Sequence, residues 1–176
     1  MNQGMQQSTN GNAATHALER LLMRFTACCA ANDGAGFAAL FTLEGVYDDY
    51  FFGAHAGRAA IAAMLARFHQ GGEDYRWEFF EPVSDGVTAY ARYRFSYRSR
   101  VPESAGRPIA FEGISRLRLR EGLIEHYAES FDRGVAFVQL GFAPGKVARL
   151  LEKYAAAQNA QPGFAPHLER FLKGTE

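Results

Sequence analysis

The sequence predicts an α+β fold with a curved, cone-like antiparallel sheet. N-terminal helices pack over the concave face of this sheet, and a C-terminal helical extension follows it. Three observations predict this arrangement. Apolar residues recur at helical spacing up to about residue 70, alternate with polar residues over residues 75–132, and return to helical spacing after Pro144. With 176 residues, 48% of them hydrophobic, the chain is long enough for one compact core.

The N-terminal half predicts a flexible tail followed by helices around one strand. Residues 1–13 are polar and predict the tail, whereas an apolar helical stripe begins after His16 and ends at the turn residues 32–34. A short helical piece over residues 37–41 precedes a predicted strand over residues 46–52. His55 is then expected in a loop before a second strong helix, whose stripe runs over residues 61–68.

The second half predicts a four-stranded antiparallel meander. Asp85-Gly86 between apolar runs is a strong hairpin pattern, and Glu121-Gly122 predicts another turn. Strands of about 12 residues extend roughly 40 Å and must twist, so we expect the sheet to wrap around a hydrophobic pocket. Pro144 then begins a helix with a stripe at Val147, Leu150, Leu151 and Tyr154. The predicted division is therefore a tail (1–13), an α+β domain (14–142) and a helical extension (143–176).

Composition excludes several classes of partner. Lys plus Arg and Asp plus Glu number 19 each, so the chain lacks the surplus positive charge that nucleic acids and anionic membranes attract. No apolar run reaches the roughly 18 residues of a membrane span. Cys28 and Cys29 are adjacent, which disfavours a disulfide and indicates a reducing, cytoplasmic compartment. No glycine-rich phosphate loop or clustered metal-ligand spacing occurs, so no metal, nucleotide or flavin cofactor is expected.

The last predicted strand carries the first catalytic candidate, Glu129. Alternation places it on the same face as Tyr127 and Phe131, with Glu125 joining them near the turn. A carboxylate among aromatic rings is desolvated, which raises its pKa towards the range useful for acid/base chemistry. The alternative is a glutamate that hydrogen-bonds a tyrosine hydroxyl in a polar core network.

Asp49 is the second catalytic candidate, because it faces inward if Tyr47 does and would then form a two-carboxylate site with Glu129. The alternative places Asp49 at a strand end near solvent. Arg58 is expected to form an ion pair with Asp48 or Asp49. The remaining candidates carry rings or polar groups that could serve a substrate: Tyr93, Tyr97, Tyr127, Trp77, Phe131 and His55. For the aromatic side chains the alternative is a place in the core. His55 could be a second proton carrier, and its alternative is a solvated loop residue.

The outward face of the meander predicts a surface for solvent or for a second copy. Arginines alternate along it with acidic neighbours, which indicates a solvated face rather than a nucleic-acid site. Tyr90 and Ile114 on the same face make a homodimer the expected partner.

The order of these elements resembles the nuclear transport factor 2-like superfamily in its SnoaL-like branch, which includes polyketide cyclases and ketosteroid isomerase-like proteins. The resemblance covers about residues 16–132 and implies the fold more specifically than the activity. It is carried by Arg24-Phe25-Thr26, Asn32-Asp33, Phe37-Ala38-Ala39-Leu40-Phe41, Val46-Tyr47-Asp48-Asp49, Gly57-Arg58-Ala59-Ala60-Ile61 and Gly122-Leu123-Ile124 running to Phe131-Asp132.

The resemblance also implies roles for individual positions, although only some of these positions keep the residue type that the role requires. Asp49 falls where ketosteroid isomerases keep a general base, but their oxyanion-hole Tyr and Asp fall at Phe25 and Ser115, and Phe donates no hydrogen bond. Glu129 falls where limonene epoxide hydrolase and SnoaL-like cyclases place an Asp. The hydrolase's Arg and Asp fall at Ala91 and Tyr93, so its triad is incomplete here.

Two functions remain open from the sequence. The first is a cofactor-independent isomerase, cyclase or lyase acting on a small apolar compound with a carbonyl or hydroxyl group, in which Glu129 moves the proton, Asp49 assists, and Phe25 and Ser115 contribute to the substrate site. The second is a non-catalytic module of the same fold that binds a ligand or assembles a complex.

Overall fold

The computed structural model describes residues 2–172, and the side chains of residues 12–171 within them. Its six α-helices are α1 (Asn2–Ala30), α2 (Gly34–Ala39), α3 (Arg58–Gly71), α4 (Arg133–Gln139), α5 (Pro144–Asn159) and α6 (Ala165–Leu172). Its six strands are β1 (Phe41–Asp49), β2 (Gly53–Ala56), β3 (Gly72–Ser84), β4 (Thr88–Ser99), β5 (Pro108–Arg120) and β6 (Leu123–Phe131). A 3-10 turn, Pro102–Ser104, links β4 to β5.

The six strands form one curled sheet in the order β2-β1-β6-β5-β4-β3. The predicted antiparallel meander is confirmed as β3 to β6, with β4 and β5 paired in continuous register from Thr88 opposite Arg118 to Arg98 opposite Pro108. β1 adds to this meander by pairing in parallel with β6, which places Tyr47 beside Tyr127. The α+β cone predicted from the sequence is thus the fold of the chain.

The segment before α3 differs from the prediction of one strand over residues 46–52. β1 begins earlier, at Phe41, and ends at Asp49, where the Asp49 carboxylate accepts the N–H groups of residues 51 and 52 at 2.7 and 2.8 Å. These bonds close a turn, and Gly53 follows with φ +86, a backbone conformation that glycine adopts without strain. The chain then returns as β2, so His55 lies in a strand opposite Tyr47 and not in a loop.

Helices α1 and α3 supply the apolar layer over the concave face. Phe25 of α1 is fully buried and lies 5.1 Å from the ring of Tyr127 and 5.2 Å from that of Trp77, so the helix packs directly on the sheet. Ile61 and Leu65 of α3 are also buried, as their helical spacing predicts. The predicted Arg58 ion pair is wrong, because the guanidinium donates at 2.9 and 2.7 Å to the carbonyl of Phe41.

The convex face of the sheet carries a row of arginines: Arg92, Arg94, Arg98, Arg116, Arg118 and Arg120. Within the described residues most of these arginines lie close to acidic side chains on neighbouring strands, for example Arg92 to Glu112 at 3.5 Å and Arg98 to Asp74 at 3.5 Å. Most of these side chains are well exposed, and exposed pairs contribute little to stability. Tyr90 and Ile114 are also exposed on this face. None of the helices described is both long and apolar enough to cross a lipid bilayer.

The termini bear on the predicted division of the chain. The backbone of residues 2–13, predicted to be a tail, continues α1 as helix. Met1 and residues 173–176 lie outside the described residues. The boundaries at residues 13 and 142 remain predictions.

Candidate active site

A cavity of about 610 Å³ lies between the concave face of the sheet and the helices. Of its 24 lining residues, 14 are aromatic, and they come from β1, β3, β4, β5, β6, α3, α4, α5 and the segments between them. The ionisable side chains in the lining are few: Asp49, His55, Arg67, Glu129 and Lys146, besides tyrosines. A cavity of this size suits a small organic molecule.

Glu129 reaches the cavity from β6, where strand alternation puts it between Tyr127 and Phe131. The Tyr127 hydroxyl donates to Glu129 Oε2 at 3.3 Å, which leaves the Ser115 hydroxyl, 2.7 Å away, as the donor to Tyr127. Ser115 and Glu129 are also direct cross-strand neighbours. A chain of two hydroxyls therefore fixes one oxygen of the carboxyl group.

The pKa of Glu129 is raised from 4.5 to about 8. Burial is the largest cause, and the negative charge of Asp49 adds to it. The Tyr93 hydroxyl, which lies near Glu129 without forming a hydrogen bond of normal geometry to it, acts in the opposite direction, because it favours the charged carboxylate. The Tyr127 hydroxyl and the N–H of Tyr50 act in the same direction as Tyr93. Near neutral pH, the Glu129 carboxyl group consequently holds a proton.

Asp49 is the second carboxylate of the cavity, at the end of β1. Burial raises its pKa, whereas the N–H groups of Phe52 and Phe51 and the nearby His55 lower it. Both N–H groups bind Oδ1, so Oδ2 is the oxygen left for other partners. Since donors stabilise the charge of Asp49 and Glu129 lacks comparable backbone anchoring, Asp49 ionises first and Glu129 keeps its proton.

Three buried polar atoms in residues lining the cavity have no hydrogen-bond partner among the described residues: the Tyr93 hydroxyl, Trp77 Nε1 and His55 Nε2. Tyr93 lies near Glu129 and raises no steric conflict with β5 because Gly113 lies opposite it. A Cβ at Gly113 would stand 2.6 Å from the Tyr93 hydroxyl. Unpaired buried polar groups are costly, so these three atoms are candidates to bind a ligand or a water molecule.

The residues predicted to form the site divide into two groups. Those that line the cavity are Asp49, Glu129, Tyr93, Tyr97, Trp77, Phe131 and His55. Phe25, Ser115 and Tyr127 are fully buried behind this lining, so they face its back and not the cavity. These three side chains were predicted to contact a substrate, but they do not form part of the cavity surface. The chemical roles of all ten residues remain predictions.

One expected member of the inner face is misplaced. Glu125 lies outside, 3.6 Å from Arg118 and 3.5 Å from Arg120. The pairing of β5 with β6 shifts between Arg118 and Leu119, and this irregularity turns Ile124 inward in place of its neighbour. A shift of one residue moves every side chain beyond it to the other face.

Sequence reasoning missed the side of the cavity built after the sheet. Phe137 of α4, Phe142, and Lys146, Leu150 and Tyr154 of α5 all line it. Leu150 and Tyr154 were predicted as part of a helical stripe, but helical spacing alone does not identify the surface against which a stripe packs. Among the side chains of residues 12–171, no three His, Cys, Asp or Glu groups lie close enough to hold a metal ion.

Comparisons with known proteins bear on this site. The family model described as a SnoaL-like domain matches residues 22–127, more than half of the chain. No curated protein matches the chain in sequence.

Solved structures share the fold at low sequence identity. A hypothetical protein from Catenulispora acidiphila, with a ketosteroid isomerase-like fold and in complex with trimethylamine, is 18% identical with a TM-score of 0.64, over 70% of this chain and 93% of that one. A protein from Xanthomonas campestris pv. campestris, provisionally named a polyketide cyclase, is 18% identical with a TM-score of 0.61, over 72% and 98%. An LEH-like epoxide hydrolase from M. tuberculosis is 18% identical with a TM-score of 0.59, over 81% and 98%.

Proposed function

Because the chain belongs to the SnoaL-like domain family, we propose that it is a cofactor-independent enzyme of the isomerase, cyclase or lyase type. Its substrate is a small apolar compound that carries a carbonyl or hydroxyl group. The observation that carries this proposal is the Glu129 carboxyl group in an aromatic cavity, with a pKa raised to about 8 and a second carboxylate, Asp49, in the same lining. Perturbed carboxyl groups in a cavity of this kind are typical of acid/base catalysts.

The proposed mechanism divides two proton transfers between the two carboxyl groups. Glu129 is protonated near neutral pH and donates its proton to the substrate oxygen, on which negative charge develops. Asp49 is ionised, and its Oδ2 accepts a proton from a carbon or from a water molecule. The Tyr93 hydroxyl, which has no partner among the described residues, offers a further donor to the same oxygen. Aromatic walls keep bulk water from competing for these groups.

The cavity lining favours this reaction type over epoxide hydrolysis, although an LEH-like epoxide hydrolase is among the proteins that share the fold. The positions that the family resemblance assigns to the hydrolase's Arg and Asp are Ala91 and Tyr93, and Ala91 is buried with no ionisable group to offer. We therefore place the chemistry on Glu129 and Asp49 alone.

The experiment begins by identifying a bound molecule. Native mass spectrometry of freshly purified protein detects any small molecule retained in the cavity, and that compound is then incubated with the wild-type protein and with Glu129→Gln. We expect turnover by the wild type and a loss of at least about 100-fold in the variant, since general acid/base groups contribute about 10²–10⁴-fold. Glu44→Gln is the matched control, because Glu44 is exposed and remote from the cavity lining. Retained turnover in Glu129→Gln would remove Glu129 from the mechanism.

A non-catalytic binding module is the second candidate. The observation that favours it is the commitment of Asp49 Oδ1 to two backbone N–H groups, which gives this carboxylate a structural use without any catalysis. The Catenulispora protein binds trimethylamine, so ligand binding by this fold suits either function. A retained molecule that the wild type binds and never converts would support the binding module.

We also propose that the protein forms a homodimer in the cytoplasm. The exposed Tyr90 and Ile114 on the convex sheet face support self-association, and the two free cysteines suit a reducing compartment. Light scattering tests the dimer: Ile114→Arg is expected to halve the mass, whereas Leu43→Arg, at an exposed position on β1, leaves it unchanged. A monomeric mass for the wild type would contradict this proposal.

A further inference from the structure

One side of the cavity is built by the segment that follows the sheet. Residues of α4, the α4–α5 connection and α5 line the cavity, all beyond residue 127, where the family match ends. From α5, Leu150 and Tyr154 are half-buried and present apolar surface to the same space as Glu129. We call these two side chains the α5 wall.

The α5 wall is held in place by few contacts. No residue of α5 is fully buried, and Leu151 remains 41% exposed, so the helix gains little stability from burial. Its attachment converges on Tyr154, whose hydroxyl donates to the carbonyl of Phe51 at 3.2 Å and whose ring stacks on that of Phe137 at 6.3 Å. An element attached in this way opens more easily than the sheet beneath it.

Arg133 connects this tyrosine to the rest of the site. Its guanidinium carbon lies 3.3 Å from the centre of the Tyr50 ring and 3.8 Å from that of the Tyr154 ring, between the two. The guanidinium also donates to the carbonyl of Tyr50, at 2.7 Å from Nε. Because Tyr50 directly follows β1 and Asp49, the position of Tyr154 is set relative to the catalytic candidates.

We propose that Leu150 and Tyr154 determine the size and shape of the molecules that the cavity accepts, and that Arg133 is the positioning residue that holds Tyr154 there. This inference rests on the proposed function of the cavity as a substrate site. A molecule whose oxygen reaches Glu129 must fit beneath the α5 wall with the rest of its body. Added bulk at residue 150 therefore excludes larger rings, and removal of the Tyr154 ring admits them.

The test compares a one-ring and a two-ring probe, phenol and 1-naphthol, by isothermal titration calorimetry. In Leu150→Phe we expect binding of 1-naphthol to weaken at least about 10-fold while phenol changes by less than about 3-fold, as expected for steric exclusion from an apolar pocket. In Tyr154→Ala, we expect the preference for 1-naphthol over phenol to rise about 5-fold. Glu152→Phe and Lys153→Ala are matched controls at exposed positions of the same helix. Their ratio of affinity for 1-naphthol to affinity for phenol should equal that of the wild type.

A second measurement needs no ligand. Trp77 is the only tryptophan of the sequence and lines the cavity, so acrylamide quenching of its fluorescence reports access to the interior. We expect the quenching constant to rise about 2-fold in Tyr154→Ala and in Arg133→Met, because the wall loses its attachment and opens. Lys153→Ala should match the wild type.

Two results would overturn the inference. Folded Leu150→Phe with the probe ratio of the wild type excludes the α5 wall as a determinant of specificity. If neither probe binds the wild type, the quenching measurement decides. Equal quenching constants for Tyr154→Ala and Lys153→Ala would then overturn the inference. Failure of the proposed function gives a different result. Turnover then survives in Glu129→Gln, whereas the variants of the α5 wall still change the binding of phenol and 1-naphthol as expected.

Discussion

Replacing Glu129 by Gln is expected to change how the stability of the protein depends on pH. The folded protein holds the Glu129 proton up to about pH 8, whereas the unfolded chain releases it near the ordinary value of 4.5. Between these two values the folded state binds more protons than the unfolded state. The free energy of unfolding consequently falls as the pH rises from 4.5 to 8 and, as far as Glu129 is concerned, is level outside this window.

The size of the effect follows from the two pKa values. The interval between 4.5 and about 8 corresponds to about 5 kcal/mol at about 1.4 kcal/mol per pH unit. Water that enters the cavity solvates the carboxylate and reduces this figure. Gln at position 129 carries no proton to lose, so the variant lacks this contribution. The stability difference, variant minus wild type, should therefore rise by several kcal/mol across the window.

Urea denaturation at half-unit steps from pH 4.5 to 9, followed by far-ultraviolet circular dichroism, measures this difference directly. The wild-type and variant slopes against urea must agree, so that the free energies are comparable. Glu44→Gln is the control for loss of a surface carboxylate, because Glu44 is exposed. Wild-type and Glu129→Gln curves that run parallel between pH 4.5 and 8 would show that Glu129 titrates normally, and the acid proposed for catalysis would lose its physical basis.

Three further outcomes are expected. Turnover of an identified substrate should fall as the pH rises through about 8, because Glu129 then loses the proton it donates; a rate that climbs through this range would make it a base. Asp49→Ala should lower the free energy of unfolding by about 2 kcal/mol, measured in urea, because two backbone N–H groups lose their acceptor, whereas Asp48→Ala should cost little. Gly113→Ala should lower it by about 1–3 kcal/mol, since the new Cβ meets the Tyr93 hydroxyl at 2.6 Å, and Gly163→Ala, with open space around it, should be nearly neutral.

The sequence predicts the sheet well because its information is local. Alternation along β4 and β5 and the turn at residues 85–86 specify which strands pair and which side chains face the core. These strands follow the prediction almost residue by residue. The four-residue strand β2 was missed because Gly53-Ala54-His55-Ala56 has no alternating large apolar residues. The parallel pairing of β1 with β6 joins residues about 80 apart, and no local pattern encodes such a contact.

The candidate site was predictable only where a strand's face defines it. Glu129 could be assigned to the inner face from its neighbours, whereas Glu125, four residues earlier, could not, because a bulge changes the register between them. The α5 wall was beyond sequence reasoning for a different reason. Its position depends on Arg133 lying between Tyr50 and Tyr154, a contact across 83 residues on one side and 21 on the other.

The division of labour between the two carboxyl groups follows from their backbone environments and not from residue type. Asp49 closes a turn, so two N–H dipoles favour its charged form even in a desolvated position. Glu129 extends from near the end of β6, and its donors include the Tyr127 hydroxyl and a single backbone N–H, that of Tyr50. Two acids in one apolar cavity cannot both ionise cheaply, and the better-solvated one ionises first. The proton that remains is therefore on Glu129, and this is the proton that the proposed reaction donates to the substrate oxygen.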